Sequence, residues 1–137
     1  MSVYKWVTFR ELDDDANAPS LQDSVGQLDA ALVAKIVGYL KSGARGVVAE
    51  EVVEDVLDPE RDMVSTDNLR TDGEWAWRED IQYYVRTYRC ALPTEFVKKA
   101  TRLGRVDLAA VDVEDFVAWS LTRNKERDGR LMDWLDG

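Results

Sequence analysis

The chain has 137 residues, of which 27 are acidic, 18 are basic and none is histidine, so the formal net charge is −9. This length favours one domain with a real core, and the charge favours basic partners over nucleic acid or anionic membranes. Without histidine, the usual Ser-His-Asp and Cys-His catalytic sets and Cys/His zinc sites are excluded.

The first third of the chain predicts a strand, an acidic connection and a long helix. Residues 3–9 are β-branched and aromatic on both faces, which is typical of an interior strand. Residues 11–20 contain three consecutive aspartates that could hold a cation, but a solvated loop is the favoured interpretation. Ser24 and Gln27 have the spacing of a capping box, and an apolar stripe runs from there to Gly43, which predicts one continuous helix.

Residues 47–57 fit either a helix or a strand, because their valines are spaced for both. Five valines in eleven residues, between Gly46 and Pro59, favour the strand. The segment from Glu50 to Asp62 is also the most acidic of the chain, so we expect it to meet a basic partner. The candidate protein-binding residues in it are Glu50, Glu51, Glu54 and Asp55.

A hairpin followed by an aromatic helix is predicted next. Residues 63–66 and 69–71 are expected to form the strand that leads into it. Asp72-Gly73 suits a type I′ turn, in which both central residues have positive φ. Beyond the turn, Trp75 and Trp77 share one strand face. Asp80 is then placed to cap a helix with an apolar stripe, formed by Ile81, Tyr84, Val85 and Tyr88.

Two further helices and a terminal segment complete the chain. Pro93 starts the first helix, whose apolar stripe ends before Gly104. Asp112 and Asp115 lie at the start of the second helix, where carboxylates favour the helix dipole. After a charged break, residues 131–137 are a candidate interface tail with Trp134 as the protein-binding anchor. Docking of this tail on its own domain and on a partner are equally favoured, and a homodimer through the tail is a further hypothesis.

These elements predict a single α+β domain over residues 1–137. We expect a mostly antiparallel sheet that contains the Asp-Gly hairpin, with about four helices packed on one side of it. No repeat or linker divides the chain.

The aromatic block of the hairpin and helix has two interpretations. As a ligand-binding site, Trp75, Trp77 and Tyr83 would form a stacking platform, with Asp72 and Glu74 beside it. As core, the two tryptophans would pack beneath the helix, and this is the favoured interpretation because paired faces must be buried. Tyr83 lies off the helix stripe and is expected to be the most exposed of these rings.

Catalysis at this hairpin is disfavoured, because a turn role explains Asp72 and a capping role explains Asp80. The phosphate-binding, dinucleotide-binding and calcium-binding loop motifs are not found in the sequence. We therefore predict no cofactor and no metal site.

The hairpin block resembles that of a family of small uncharacterised bacterial proteins with a TDG-x-W-x-W start. The likeness spans mainly residues 69–97, and the segments that carry it are Thr71-Asp72-Gly73-Glu74-Trp75-Ala76-Trp77, Tyr83-Tyr84-Val85 and Leu92-Pro93-Thr94-Glu95-Phe96. No activity is attached to that family, so the resemblance transfers no functional residue. In size and charge the chain also resembles bacterial immunity proteins, which neutralise toxin enzymes.

The sequence predicts a cytoplasmic protein, because it shows no membrane span or signal peptide and its single cysteine, Cys90, cannot form an internal disulfide. The leading functional hypothesis is a non-enzymatic, acidic, immunity-like or inhibitory protein that binds a basic protein. The alternative is a small-ligand-binding protein, or a carboxylate-based enzyme, that uses the aromatic block.

Overall fold

A four-stranded sheet organises the fold in the computed structural model, which describes residues 3–46 and 51–123. The strands in chain order are β1 (Lys5–Val7), β2 (Ala44–Arg45), β3 (Val52–Val53), β4 (Ser65–Thr66), β5 (Leu69–Thr71) and β6 (Trp75–Arg78). The main sheet has the order β1-β6-β5-β2, and β3 and β4 form a separate antiparallel pair. In the main sheet β1 runs parallel to β6, while the other two pairings are antiparallel.

Helices pack on both faces of this sheet. The helices and the sheet together form a single small α+β domain, as predicted. They are α1 (Arg10–Asp13), α2 (Leu21–Ser24), α3 (Val33–Lys41), α4 (Asp80–Tyr88), α5 (Thr94–Leu103) and α6 (113–123). Short 3₁₀ turns lie at Ala30–Leu32 and Leu108–Ala110. None of the helices in the described ranges has both the length and the apolar character needed to cross a membrane.

The alternation of side chains along the strands divides the core into two clusters. Val7 and Phe9 join the larger cluster, which also contains the buried side chains of α3, α4 and α5. Tyr4 packs on the opposite face against Phe116 of α6, with ring centroids 5.2 Å apart. The expectation of helices on one side is therefore wrong. The expectation that this first strand is an interior strand is also wrong: β1 has apolar side chains on both faces, but it lies at the edge of the sheet.

The helix predicted from Ser24 to Gly43 is interrupted. α2 ends at Ser24, Gly26 has a φ of +75°, and α3 begins only at Val33. The intervening backbone bonds to the end of α4 instead: Gly26 N–H donates to the Tyr88 carbonyl over 2.9 Å. These tertiary hydrogen bonds replace the helical ones that the capping-box pattern predicted.

The hairpin between β5 and β6 is confirmed, but its predicted turn type is wrong. Of its two central residues only Gly73 has a positive φ, +100°. The Asp72 carboxylate accepts hydrogen bonds from the backbone N–H groups of Glu74 (2.9 Å) and Trp75 (2.7 Å), which closes the turn from the side chain. Aspartate serves here as a local backbone acceptor rather than as a left-handed residue.

The strand interpretation of residues 47–57 is confirmed for Val52–Val53, whereas residues 47–50 lie outside the described ranges. The strand expected to lead into the hairpin is divided, because β4 pairs with β3 and β5 pairs with β6 and β2. The break falls at Asn68, which is buried and whose carbonyl accepts the Glu79 N–H over 2.8 Å.

The last two predicted helices are found where expected. α5 ends at Gly104, whose φ of +74° suits a C-terminal glycine. The carboxylate of Asp112 accepts the N–H of Asp115 over 3.1 Å at the start of α6. The interface tail 131–137, including Trp134, lies outside the described residues.

Candidate functional site

The two hairpin tryptophans belong to the core. Trp77 is fully buried and Trp75 nearly so, and both meet the edge of Phe96 with ring centroids 5.4 and 5.6 Å away. The indole N–H of Trp77 donates to the Leu40 carbonyl over 3.2 Å. These rings therefore offer no open stacking face, and the core interpretation describes them.

Gly43 permits this packing by having no side chain. A Cβ at Gly43 would lie 2.7 Å from Cζ2 of Trp77 and 3.2 Å from the Thr71 carbonyl oxygen. Such distances are shorter than van der Waals contact, so the backbone can approach the indole this closely only at a glycine.

The hairpin carboxylates are engaged in an internal network. Besides its two backbone bonds, Asp72 accepts from the Tyr39 hydroxyl (2.6 Å) and pairs with Lys99 (3.1 Å). Glu74 pairs with Lys99 (3.0 Å) and Lys5 (3.2 Å), and these two cations hold the pKa of Glu74 below its usual value. Asp72 and Glu74 thus stabilise the hairpin and α5, and their charges are balanced locally.

Tyr83 and Asp55 occupy positions that the sequence did not predict. The expectation that Tyr83 is the most exposed of the aromatic rings is wrong. Its side chain is buried, and its hydroxyl donates to Asp55 over 2.7 Å. Asp55 is fully buried and also accepts from the Tyr88 hydroxyl (2.5 Å) and from the N–H groups of Leu57 and Asp58. Its expected contact with a partner is therefore wrong: Asp55 anchors its own segment to α4.

These donors determine the charge state of Asp55. Burial alone would raise its pKa, but the hydrogen bonds from Tyr88, Tyr83 and the two backbone N–H groups outweigh burial, so the pKa is lowered. A second link to α4 is made by the Tyr84 hydroxyl, which accepts the Val56 N–H over 3.0 Å. The tyrosines of the aromatic helix therefore hold the segment in place.

We call residues 51–66, which contain β3 and β4, the acidic arm. Its remaining carboxylates mostly face solvent: Glu51, Glu54, Glu60 and Asp62 are exposed. Asp58 pairs with Arg61 over 3.3 Å. Glu50, the fourth candidate of the sequence analysis, lies outside the described residues.

A cleft of about 380 Å³ lies between the acidic arm and the main domain. We call it the arm cleft. Its lining residues are Glu11, Leu12, Val52, Val53, Glu54, Val56, Asp62, Arg78 and Asp80. This volume is within the range of small-ligand sites in proteins, so the arm cleft is a candidate binding site.

Asp80 and Arg78 form a buried ion pair in this cleft. Arg78 Nη2 lies 2.7 Å from Asp80 Oδ2, and Arg78 Nη1 donates to the Leu12 carbonyl over 3.0 Å. Two buried atoms of the pair have no hydrogen-bond partner, Asp80 Oδ1 and Arg78 Nε. The predicted capping role of Asp80 is wrong: Glu79 is the N-cap residue of α4, and no side chain caps this helix.

Asp80 is expected to titrate near pH 6. The pKa of its carboxyl is raised to about 6, because burial and the nearby Asp67 raise it by more than the facing Arg78 lowers it. We predict a carboxyl ¹³C chemical shift for Asp80 that titrates with a midpoint near pH 6.

The raised pKa of Asp80 makes the protein less stable as the pH rises. Between about pH 4 and 6 the folded state keeps the Asp80 proton, whereas the unfolded state loses it. The contribution of Asp80 to the free energy of unfolding therefore falls as the pH rises through that window. The total fall is on the order of 3 kcal/mol. A midpoint near 4 would contradict the prediction.

Sequence reasoning missed the arm cleft because its residues are distant in the chain. Glu11 falls in the predicted acidic connection, far in the chain from Arg78 and from the acidic arm. The local signal was the pair of opposite charges at Arg78 and Asp80, two residues apart where β6 ends and α4 begins. Within residues 3–46 and 51–123, no group of three or more Asp, Glu or Cys side chains is arranged to hold a metal ion.

The chain matches no protein-family model, no curated protein and no solved structure. The TDG-x-W-x-W resemblance and the likeness to immunity proteins therefore stay predictions.

Proposed function

We propose that this protein is a non-enzymatic acidic binding protein, of the immunity-like or inhibitory kind, whose acidic arm binds a basic surface of another protein in the cytoplasm. The observation that carries the proposal is the anchoring of the arm. Asp55 fixes it to the tyrosines of α4, while Glu51, Glu54 and Asp62 remain exposed.

Anchoring matters because a pre-formed charged surface loses less conformational entropy on binding than a free loop. Complementary charge then accelerates association and selects basic partners. The net charge of −9 acts in the same direction. The hairpin has no comparable free charge, because Lys99 and Lys5 already pair with its carboxylates.

The side chains of the hairpin favour a binding role over catalysis. Asp72 and Glu74, the two hairpin carboxylates, are committed to hydrogen bonds and ion pairs within the fold. Trp75 and Trp77 are buried in the core, so they present no open face to a planar substrate. A homodimer through the tail at Trp134 stays a separate prediction.

The proposal is tested by capture of partners from the source-cell lysate with the wild-type chain and two charge-reversal variants. One variant carries Glu51→Lys, Glu54→Lys and Asp62→Lys. The control carries the same change in net charge away from the arm, at the exposed residues Asp23, Glu95 and Glu114.

A basic protein retained by the wild type and the control, and weakened by salt, is the expected result. The arm variant should bind it at least roughly tenfold more weakly, since one close charge pair at an interface contributes more than about 1.4 kcal/mol. Equal binding by both variants would show that the arm is not the interface.

A further inference from the structure

The arm cleft contains a carboxylate with one oxygen that has no hydrogen-bond donor in the fold. Asp80 is only 1% exposed, and its Oδ1 has no partner. A buried acceptor without a donor costs free energy, and a charged one costs more. Such a group is retained at a cost to stability, which is common at binding sites.

The charges around this carboxylate favour a cation. Four carboxylates line the cleft, those of Glu11, Glu54, Asp62 and Asp80, against the single guanidinium of Arg78. That guanidinium donates through Nη2 to Asp80 Oδ2 and through Nη1 to the Leu12 carbonyl, which leaves its Nε–H without a partner. An anionic ligand would therefore be repelled, and a neutral one would gain less than a cation.

The remaining walls are aliphatic, formed by Leu12, Val52, Val53 and Val56. Lysine and arginine side chains have a matching character, with an apolar stem and a charged head. A cleft lined by both carboxylates and aliphatic side chains thus offers contacts to both parts of such a side chain.

We propose that the arm cleft binds the cationic side chain of a lysine or arginine, with the stem against the valine wall and the head group donating to Asp80 Oδ1. The inference rests on the proposed function, because it identifies the side chain that a basic partner inserts beside the arm.

Asp80 is almost fully buried, so a head group reaches its Oδ1 only when the neighbouring wall moves. Val52 and Val56 are 54% and 39% exposed, so these two wall residues have little packing to lose. Asp55 and Tyr84 keep the backbone of the arm in place during this movement.

The experiment is an NMR titration of the full chain with Nα-acetyl-lysine methylamide and its arginine equivalent. The uncharged norleucine equivalent and the anionic glutamate equivalent serve as ligand controls. Saturable shifts for the two cations, centred on the Val52 and Val53 amides and the Arg78 Nε–H, are expected.

Two variants test the site without removing the buried ion pair. Val52→Trp fills the entrance from an exposed strand position, where an aromatic residue is tolerated, and should abolish the shifts. Glu54→Gln removes a rim charge and should weaken binding severalfold. Glu60→Gln, an exposed position on the same arm that does not line the cleft, should leave binding unchanged.

The possible results separate this inference from the proposed function. No saturable shift with either cation, equal shifts with norleucine, or shifts spread over all acidic surfaces would each overturn the cationic site. If a basic protein is still captured through the arm in that case, only the cleft inference fails. If the cations bind and no protein is captured, the cleft inference stands as a small-cation site and the proposed partner fails.

Discussion

Replacement of Asp55 with alanine is expected to lower the free energy of unfolding by about 3 kcal/mol, although the residue lies in a short surface arm. The reason is the number of donors that would lose their acceptor. The hydroxyls of Tyr83 and Tyr88 and the N–H groups of Leu57 and Asp58 all point to this carboxylate. Urea unfolding followed by tryptophan fluorescence measures the loss.

The same anchor should make the arm sensitive to acid. Because the pKa of Asp55 is lowered in the folded state, its contribution to stability is present above the unfolded pKa near 4 and is lost as the pH falls through the folded value. Asp55→Ala removes the carboxylate at every pH, so hydrogen exchange at the Val64 amide, which donates to the Val53 carbonyl, should accelerate in this variant already at neutral pH.

Glu60→Ala is the matched control for Asp55→Ala, because Glu60 is an exposed carboxylate of the same arm. Its effect should stay within about 0.5 kcal/mol. An Asp55→Ala variant as stable as this control, with unchanged exchange in the arm, would show that the anchor is not formed in solution.

Replacement of Phe96 with alanine is expected to cost about 4 kcal/mol. Phe96 is fully buried, and its ring makes edge contacts with Tyr39, Trp75 and Trp77, at centroid distances of 5.4 to 5.7 Å. Truncation leaves a cavity between α3, α5 and the sheet. A loss of this size is a large part of the stability of a small domain.

Leu103→Ala on the same helix provides the comparison, since Leu103 is 46% exposed. It should cost less than about 1 kcal/mol. Both variants are measured by urea unfolding, with near-ultraviolet circular dichroism to report the packing of the tryptophans. Similar losses of unfolding free energy in the two variants would contradict the prediction that Phe96 is central to the core.

Much of the fold followed from local patterns that the tertiary structure respects. The alternation of Trp75 and Trp77 placed both rings on one face, and burial of that face made them core. Pro93 and Gly104 bounded α5 because proline suits a helix start and glycine adopts the positive φ at its end. The Asp-Gly pair located the hairpin, because Gly73 takes the positive φ of the turn and the Asp72 carboxylate accepts the backbone N–H groups that close it.

Local patterns were misleading where a distant segment supplied a competing partner. Ser24 and Gln27 have a capping-box spacing, yet the neighbouring backbone bonds to the end of α4 and the helix starts later. There a tertiary hydrogen bond replaced a local one. The capping expectation for Asp80 failed for a local reason, because Glu79 takes the N-cap position and Arg78, two residues before Asp80, pairs with the Asp80 carboxylate.

The sequence alone determined the charge of this protein and the apolar faces that must be buried. It also excluded catalytic sets that depend on histidine, because the chain contains none. Only the tertiary structure decided which carboxylates are available. Asp55, Asp72 and Glu74 are used by the fold, while Glu51, Glu54 and Asp62 face solvent and Asp80 keeps an unpaired oxygen in the arm cleft. The physical reason is that the role of a carboxylate depends on the donors that folding brings to it, and residues far away in the chain supply many of these donors.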